Sequence, residues 1–259
     1  MGQLRENRVK HKLQRGELAT VVLGYNTADM IDFLGPVGFD AIWIEGEHGP
    51  VDFADIPDLT RACDLWGMTS IVRVNLNVPG VIYRTLDGGA QGIAVPHVNT
   101  AEEARAVVEA AKFYPLGSRG MYSNRQGHGV VDYHSKANDE TLIVVLIEDV
   151  VAVNNLPEIL SVENIDVFSV APGDLAQSMG YLGQAGHPEV LAVIDKAIEQ
   201  ITGAGRVAGA LVNVSTVEDY IKKGVRFLSN SWPGWLEASA RGYLERVSAA
   251  SRRALGRLP

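Results

Sequence analysis

Cysteine is almost absent from this 259-residue chain: Cys63 is the only one. A single thiol excludes an intramolecular disulfide and a thiolate metal cluster. Cys63 lies in Leu-Thr-Arg-Ala-Cys-Asp-Leu-Trp, which has helical spacing, and reads as a buried structural residue rather than a nucleophile. Lysine is also scarce. The seven are Lys10, Lys12, Lys112, Lys136, Lys196, Lys222 and Lys223, and none ends an apolar strand-like run. Chemistry through a Schiff base needs a buried lysine at such a place, so that mechanism is disfavoured. No G-x-S-x-G elbow, G-x-G-x-x-G turn or P-loop is present, which removes the usual signals of a serine hydrolase and of a nucleotide site. No apolar stretch approaches the roughly 20 residues that span a bilayer. The N-terminus is charged and has no apolar signal core, and Glu6 breaks a myristoylation pattern, so the expected compartment is the cytoplasm. The formal net charge of −8 argues against nucleic acid or an anionic membrane as a partner. A small anionic substrate stays open, because a bound cation and one arginine would set the local field.

What is present is an alternation of apolar runs and helical patterns. Apolar residues make up 46% of the chain, enough for a sizeable core, and without a linker or repeat we expect one domain over 1–259. Strands are expected near 19–23, 40–45, 70–74, 92–95, 142–148, 166–170, 207–212 and 226–229, each rich in the residues of strands buried on both faces. Thr100 with Glu103 forms a capping box for a helix to about Phe113, and Ser215 with Glu218 forms a second, closed by Gly224. His187-Pro188-Glu189 opens a helix to about Thr202, and a final helix spans roughly 234–255. Eight strands with interleaved helices in this length are the pattern of an α/β fold of the (β/α)8 TIM-barrel type. The segment 114–140, rich in Gly, Arg, Tyr and His, is a long connection and therefore a candidate functional loop.

Four short pieces carry polar residues straight after an apolar run: Ile-Glu-Gly-Glu-His at 44–48, Arg73, Glu148 and Asp174. In a barrel these strand ends form the catalytic face. Glu148 is costly to bury without a partner. Asp174 alone would be an N-cap, but paired with Glu148 a shared hard cation such as Mg²⁺ or Mn²⁺ is the better reading. His48, with Glu45 three residues earlier to orient it, is the candidate general base. His97 is the second choice, and His128 and His134 could reach substrate from the long loop. Arg73 is either a structural ion pair or the group that stabilises a developing enolate. Asp87 could be only a helix C-terminal residue.

These segments resemble the HpcH/HpaI-type class II 2-oxo-acid aldolases, which include 4-hydroxy-2-oxoheptanedioate and 2-dehydro-3-deoxyglucarate aldolases. The likeness covers nearly the whole chain: Gly-Phe-Asp-Ala-Ile-Trp-Ile-Glu-Gly-Glu-His-Gly-Pro (38–50), Val-Arg-Val-Asn (72–75), Leu-Asp-Gly-Gly-Ala-Gln-Gly-Ile-Ala-Val-Pro (86–96), Tyr-Pro-Leu-Gly-Ser-Arg-Gly (114–120), Ile-Glu (147–148), Ala-Pro-Gly-Asp-Leu (171–175) and Met-Gly-Tyr-Leu-Gly (179–183). The resemblance implies a phosphoenolpyruvate/pyruvate-type barrel that cleaves a 4-hydroxy-2-oxo acid reversibly to pyruvate and an aldehyde through a metal-bound enolate, in aromatic or sugar-acid catabolism. It implies Mg²⁺ or Mn²⁺, with Co²⁺ as an alternative, and no organic cofactor. Glu148 and Asp174 would hold the metal, His48 would be the base, and Arg73 would stabilise the enolate. Pro172, Gly173 and Asp174 would meet the substrate carboxylate. Asp87 would tune the histidine, across a subunit interface. The implied assembly is a hexamer, a trimer of dimers, with terminal helices exchanged. Two positions depart from the family pattern: Glu45 stands where the family has Asp, and Leu146 where it has a substrate-contacting Gln. Other readings of the same site are a related lyase or decarboxylase, a CoA-thioester lyase, or a non-catalytic paralogue.

Overall fold

The computed structural model describes residues 2–24, 26–122 and 124–255; Met1 of the charged N-terminus and Ser123 of the long connection lie outside them. Eight parallel strands close on themselves in chain order, β1 pairing with both β2 and β8. They are β1 (Ala19–Leu23), β2 (Ala41–Glu45), β3 (Thr69–Arg73), β4 (Gly92–Val95), β5 (Leu142–Ile147), β6 (Val167–Val170), β7 (Ala208–Leu211) and β8 (Phe227–Ser231). The helices are α1 (Arg8–Gln14), α2 (Ala28–Leu34), α3 (Ile56–Leu65), α4 (Pro79–Asp87), α5 (Ala101–Ala111), α6 (Tyr133–Glu140), α7 (Val150–Asn154), α8 (Leu156–Leu160), α9 (Pro172–Ser178), α10 (Pro188–Gly203), α11 (Val217–Lys222) and α12 (Trp232–Leu255). The expected (β/α)8 architecture is therefore present.

Strand alternation sorts the core into two parts. Inward residues such as Val21, Trp43, Ile71, Ala94, Val144, Leu146, Val167 and Phe227 fill the barrel. Outward residues such as Val22, Ile42, Ile93, Ile143 and Phe168 pack under the surrounding helices. Helix α1 plugs the N-terminal end of the barrel with Val9 and Leu13, and the Val9 N–H donates to Thr69 Oγ1 at 3.1 Å. This leaves the C-terminal end as the open one.

The Thr100–Glu103 capping box is present at the start of α5. The second box is not: the Asn213 carboxamide oxygen takes the N–H groups of Ser215 and Thr216 and the Ser215 hydroxyl, and Thr216 precedes α11 without a side-chain cap. The earlier asparagine takes the Ser215 N–H that Glu218 would have received and engages the Ser215 hydroxyl, so the box does not form. Gly224, at φ 93°, follows α11 in the left-handed conformation expected of a helix stop. His187 heads α10 by accepting the Glu189 N–H. The last helix starts at Trp232, two residues before the expected position, and leaves Leu236, Tyr243, Leu244 and Val247 exposed.

The long 114–140 connection contains a helical turn at Arg125–Gly127 and α6. It links the end of α5 to the start of β5, so it belongs to the N-terminal end of the barrel. Its Arg125 pairs with Asp64, and its His134 packs edge-on against Phe113 and Tyr133. Within one chain, therefore, His128 and His134 are remote from the strand tips, contrary to the expectation of substrate contact.

Lys112 is buried at the same end and donates to the carbonyls of Asn138 (2.6 Å) and Thr141 (2.7 Å). Burial, helped by the charge of Lys10, pushes its ammonium down to about 7. It has the character that Schiff-base chemistry wants but lies away from the catalytic face. An unfolded lysine keeps its proton to about pH 10.4, so between these values the unfolded chain binds more protons and stability rises with pH. Thermal unfolding should show wild type gaining stability relative to Lys112→Met from pH 7 to 10, and parallel curves would refute the assignment.

Candidate active site

The site is built from the tips of β2, β3, β4, β5 and β6. Glu45 and Arg73 end β2 and β3 and are register partners. The Arg73 Nε donates to both Glu45 oxygens (3.0 and 2.8 Å), and Nη2 lies 2.7 Å from Glu45 Oε2. The chain then turns tightly around that carboxylate, whose Oε1 accepts the N–H groups of Glu47 (2.8 Å) and His48 (3.0 Å). Glycine is required here: a Cβ at Gly49 would stand 2.5 Å from the Glu45 carbonyl oxygen, and one at Gly46 2.6 Å from that of Arg73. Burial alone would raise the Glu45 carboxyl, but the Arg73 guanidinium and these two N–H groups hold it below its ordinary value.

The role expected of Glu45 is corrected by this geometry. It binds the backbone N–H of His48 rather than the imidazole, and its charge is committed to Arg73. The His48 ring is largely exposed, with Nε2 3.7 Å from Glu47 Oε2. Arg73 combines both sequence readings: it is ion-paired, and it also lines the central cavity. Its Nη1 lies 2.9 Å from Glu47 Oε2 in an ion pair without hydrogen-bond alignment.

Glu148 follows directly on β5 and is 1% exposed. Its Oε1 accepts the His97 N–H at 2.8 Å, while Oε2 is buried and has no hydrogen-bond partner. Burial pushes this carboxyl up to about 7; the His97 N–H and ring oppose the rise, and the charges of Asp174 and Glu47 add to it. Asp174 stands in the first turn of α9, behind Ala171, which precedes the helix without a side-chain cap. The N-cap reading of Asp174 is thus wrong, and its carboxylate is left to line the cavity.

That cavity, about 230 Å³, is also lined by Leu146, Pro172 and Gly173. A Cβ added at Gly173 would meet nothing within 4 Å, so the backbone there is open to a ligand. A carboxylate oxygen buried without a partner beside a second carboxylate suits a hard divalent cation. Among the described residues no three His, Cys, Asp or Glu side chains gather closely enough to hold a metal.

Two site residues were missed or underweighted in the sequence. Glu47 lies beyond the end of β2, where strand alternation no longer tells which way a side chain points. His97 adopts φ 52°, and this turn aims its N–H at Glu148. Its Nδ1 is 2.9 Å from Asp149 Oδ2, and its Nε2 is 3.9 Å from Glu47 Oε1. The Asp149 hydrogen bond, against some loss from burial, raises its pKa, with the charges of Glu148, Asp149 and Glu47 adding to the rise. Asp87, by contrast, ends α4 at the opposite end of the barrel and binds Arg119 at 2.6 Å. Within one chain it does not meet His48.

Fold and site together define a (β/α)8 enzyme with carboxylates, histidines and one arginine gathered at the strand tips. A family model described as HpcH/HpaI aldolase/citrate lyase matches residues 20–236. The 4-hydroxy-2-oxo-heptane-1,7-dioate aldolase of Shigella sonnei (strain Ss046) is 36% identical over 230 residues, covering 86% of this chain and 88% of that protein. The 2-keto-3-deoxy-L-rhamnonate aldolase of Escherichia coli O9:H4 (strain HS) is 36% identical over 217 residues, covering 82% and 81%. Among solved structures, an HpcH/HpaI aldolase/citrate lyase family protein from Burkholderia cenocepacia J2315 superposes with a TM-score of 0.88 at 26% identity, covering 93% of this chain and 99% of that one. The chain belongs to the HpcH/HpaI aldolase/citrate lyase family, and it is an aldolase, a carbon–carbon lyase.

The left-handed turn at His97 can be tested apart from its ring. Asparagine tolerates that conformation and a β-branched residue does not. Urea unfolding should find His97→Val less stable than His97→Asn by about 1–2 kcal/mol; equal stabilities would show that the turn is not a constraint.

Proposed function

We propose that the chain is a divalent-metal-dependent aldolase that cleaves a 4-hydroxy-2-oxo acid reversibly to pyruvate and an aldehyde. The observation that carries this reading is the partnerless buried Oε2 of Glu148 beside Asp174. These two residues would hold Mg²⁺, Mn²⁺ or Co²⁺. When bound, the metal supplies Lewis-acid polarisation of the 2-oxo group, which makes a C3 proton or a C3–C4 bond easier to release.

The chain's own residues do the remaining work. His48 has an exposed ring at the mouth, near Glu47, and serves as the base that takes the proton of the 4-hydroxyl in cleavage and returns a proton to C3. Arg73 is fixed by two carboxylates, so its guanidinium is pre-aimed and steadies the negative charge on the reacting oxygen. The open backbone at Gly173, with Pro172, receives the substrate carboxylate. Glu45 acts indirectly, holding Arg73 and the turn that carries His48.

The oligomeric part of the proposal is a hexamer, built as a trimer of dimers. The exposed Leu236, Tyr243, Leu244 and Val247 of α12 support the packing of this helix on another subunit. In that assembly Asp87 would reach a neighbour's histidine. Small molecules are the partners in this reading, and no described helix is long and apolar enough to cross a membrane.

Proton exchange tests the chemistry without knowledge of the aldehyde. With Mg²⁺ in deuterium oxide, the enzyme should exchange the C3 protons of pyruvate, and chelator should stop it. His48→Ala should lower the rate by at least about 100-fold with unchanged circular dichroism. Exchange that persists in chelator, or in His48→Ala at the wild-type rate, would refute the metal and base roles.

A further inference from the structure

Below the carboxylates the site changes character. The inward column of β5 runs Leu142, Val144 and Leu146, the last of them 3% exposed, and Glu148 follows just past the strand's end. A strand rises about 3.3 Å per residue, so the backbone of Leu146 lies about 6 Å back along the chain from that of Glu148, toward the closed end. Trp43 lines the same cavity from two residues below the tip of β2, while Leu23 and Leu211, the last residues of β1 and β7, line its walls nearer the mouth. The polar groups nearby are largely committed. The Trp43 indole N–H is given to Glu45 at 3.3 Å, and the Ser229 hydroxyl to the Ala210 carbonyl at 3.0 Å. Ser169, the register neighbour of Leu146, adds one hydroxyl. The cavity therefore has charged groups, Arg73 and Asp174, above an apolar floor.

An aldol partner pair enters such a site in order of depth. The 2-oxo acid must reach the Glu148–Asp174 level to be activated, and the aldehyde meets it from the mouth, where His48 and His97 stand. Any group at the depth of Leu146 then belongs to the 2-oxo acid. The methyl group of pyruvate is a small occupant for a floor made of Leu146 and Trp43.

We propose that the preferred 2-oxo acid carries an alkyl substituent on C3, as in 2-oxobutanoate, and that Leu146 is the residue that selects it. This rests on the metal-dependent aldolase reading and refines its donor substrate. The reaction in the synthetic direction breaks one C3–H bond, passes that proton to the base, and forms the C3–C4 bond to the aldehyde carbon, whose oxygen takes a proton. The product is a 4-hydroxy-2-oxo acid branched at C3.

Deuterium exchange at C3, followed by proton NMR with Mg²⁺, compares pyruvate, 2-oxobutanoate and 2-oxopentanoate on the wild type, Leu146→Gln and Leu146→Ala. One seated methylene contributes about 0.8 kcal/mol, or about fourfold in selectivity. The ratio of kcat/KM for 2-oxobutanoate to that for pyruvate should fall at least about fourfold in Leu146→Gln, and the wild-type KM should be lower for 2-oxobutanoate. Leu146→Ala should shift preference toward 2-oxopentanoate. A wild type with a lower KM for pyruvate, or a ratio indifferent to both substitutions, overturns the inference while leaving the aldolase reading intact. Absence of exchange with every acid overturns the aldolase reading and this inference with it.

Discussion

The structure turns on one electrostatic constraint: a carboxylate, Glu148, placed at the head of a strand whose six residues are all buried. An unpaired charge in such surroundings is expensive. The protein meets half of the requirement with the His97 N–H, obtained by bending the backbone into a left-handed turn. The other oxygen is left without a protein donor, and the neighbouring Asp174 makes its position worse rather than better. That arrangement destabilises the empty site and favours a cation, which is why we read it as functional rather than structural.

The two ends of the barrel divide the labour. At the N-terminal end, α1 fills the opening, Lys10 and Lys112 share the Thr141 carbonyl, and the arginines of the long connection are paired with Asp64 and Asp87. These contacts leave that end closed. At the C-terminal end, Glu45 and Glu47 immobilise Arg73, while the histidine rings stay exposed at the mouth. One end is closed by packing and ion pairs, and the other gathers its charged groups and exposed rings around an open cavity, as is general for this fold.

Much of this was legible in the chain. All eight strands stand within about two residues of the positions their apolar runs suggest, because strands buried on both faces leave an unambiguous pattern. Arg73 and Glu148 could be placed because they stand at the end of such a run, and Asp174 because only Ala171, Pro172 and Gly173 separate it from one. The turn from Glu45 to His48 could not, since side-chain direction beyond a strand end depends on hydrogen bonds: Glu45 chose Arg73 and two N–H groups over the imidazole. His97 was underweighted because a positive φ at a non-glycine residue has no sequence signature. The histidines of the 114–140 connection misled, because that segment joins a helix to the next strand at the closed end. Asp87 ends α4 at the closed end, where it binds Arg119 and no contact within the chain brings it to His48.

The central claim is that Glu148 and Asp174 together hold one divalent cation. Calorimetric titration with Mn²⁺ in the absence of substrate tests it most directly. The account predicts one ion bound per chain, with affinity lowered at least about tenfold in both Glu148→Gln and Asp174→Asn. Binding of equal strength in wild type and both variants, or no binding to the folded wild type, would contradict it.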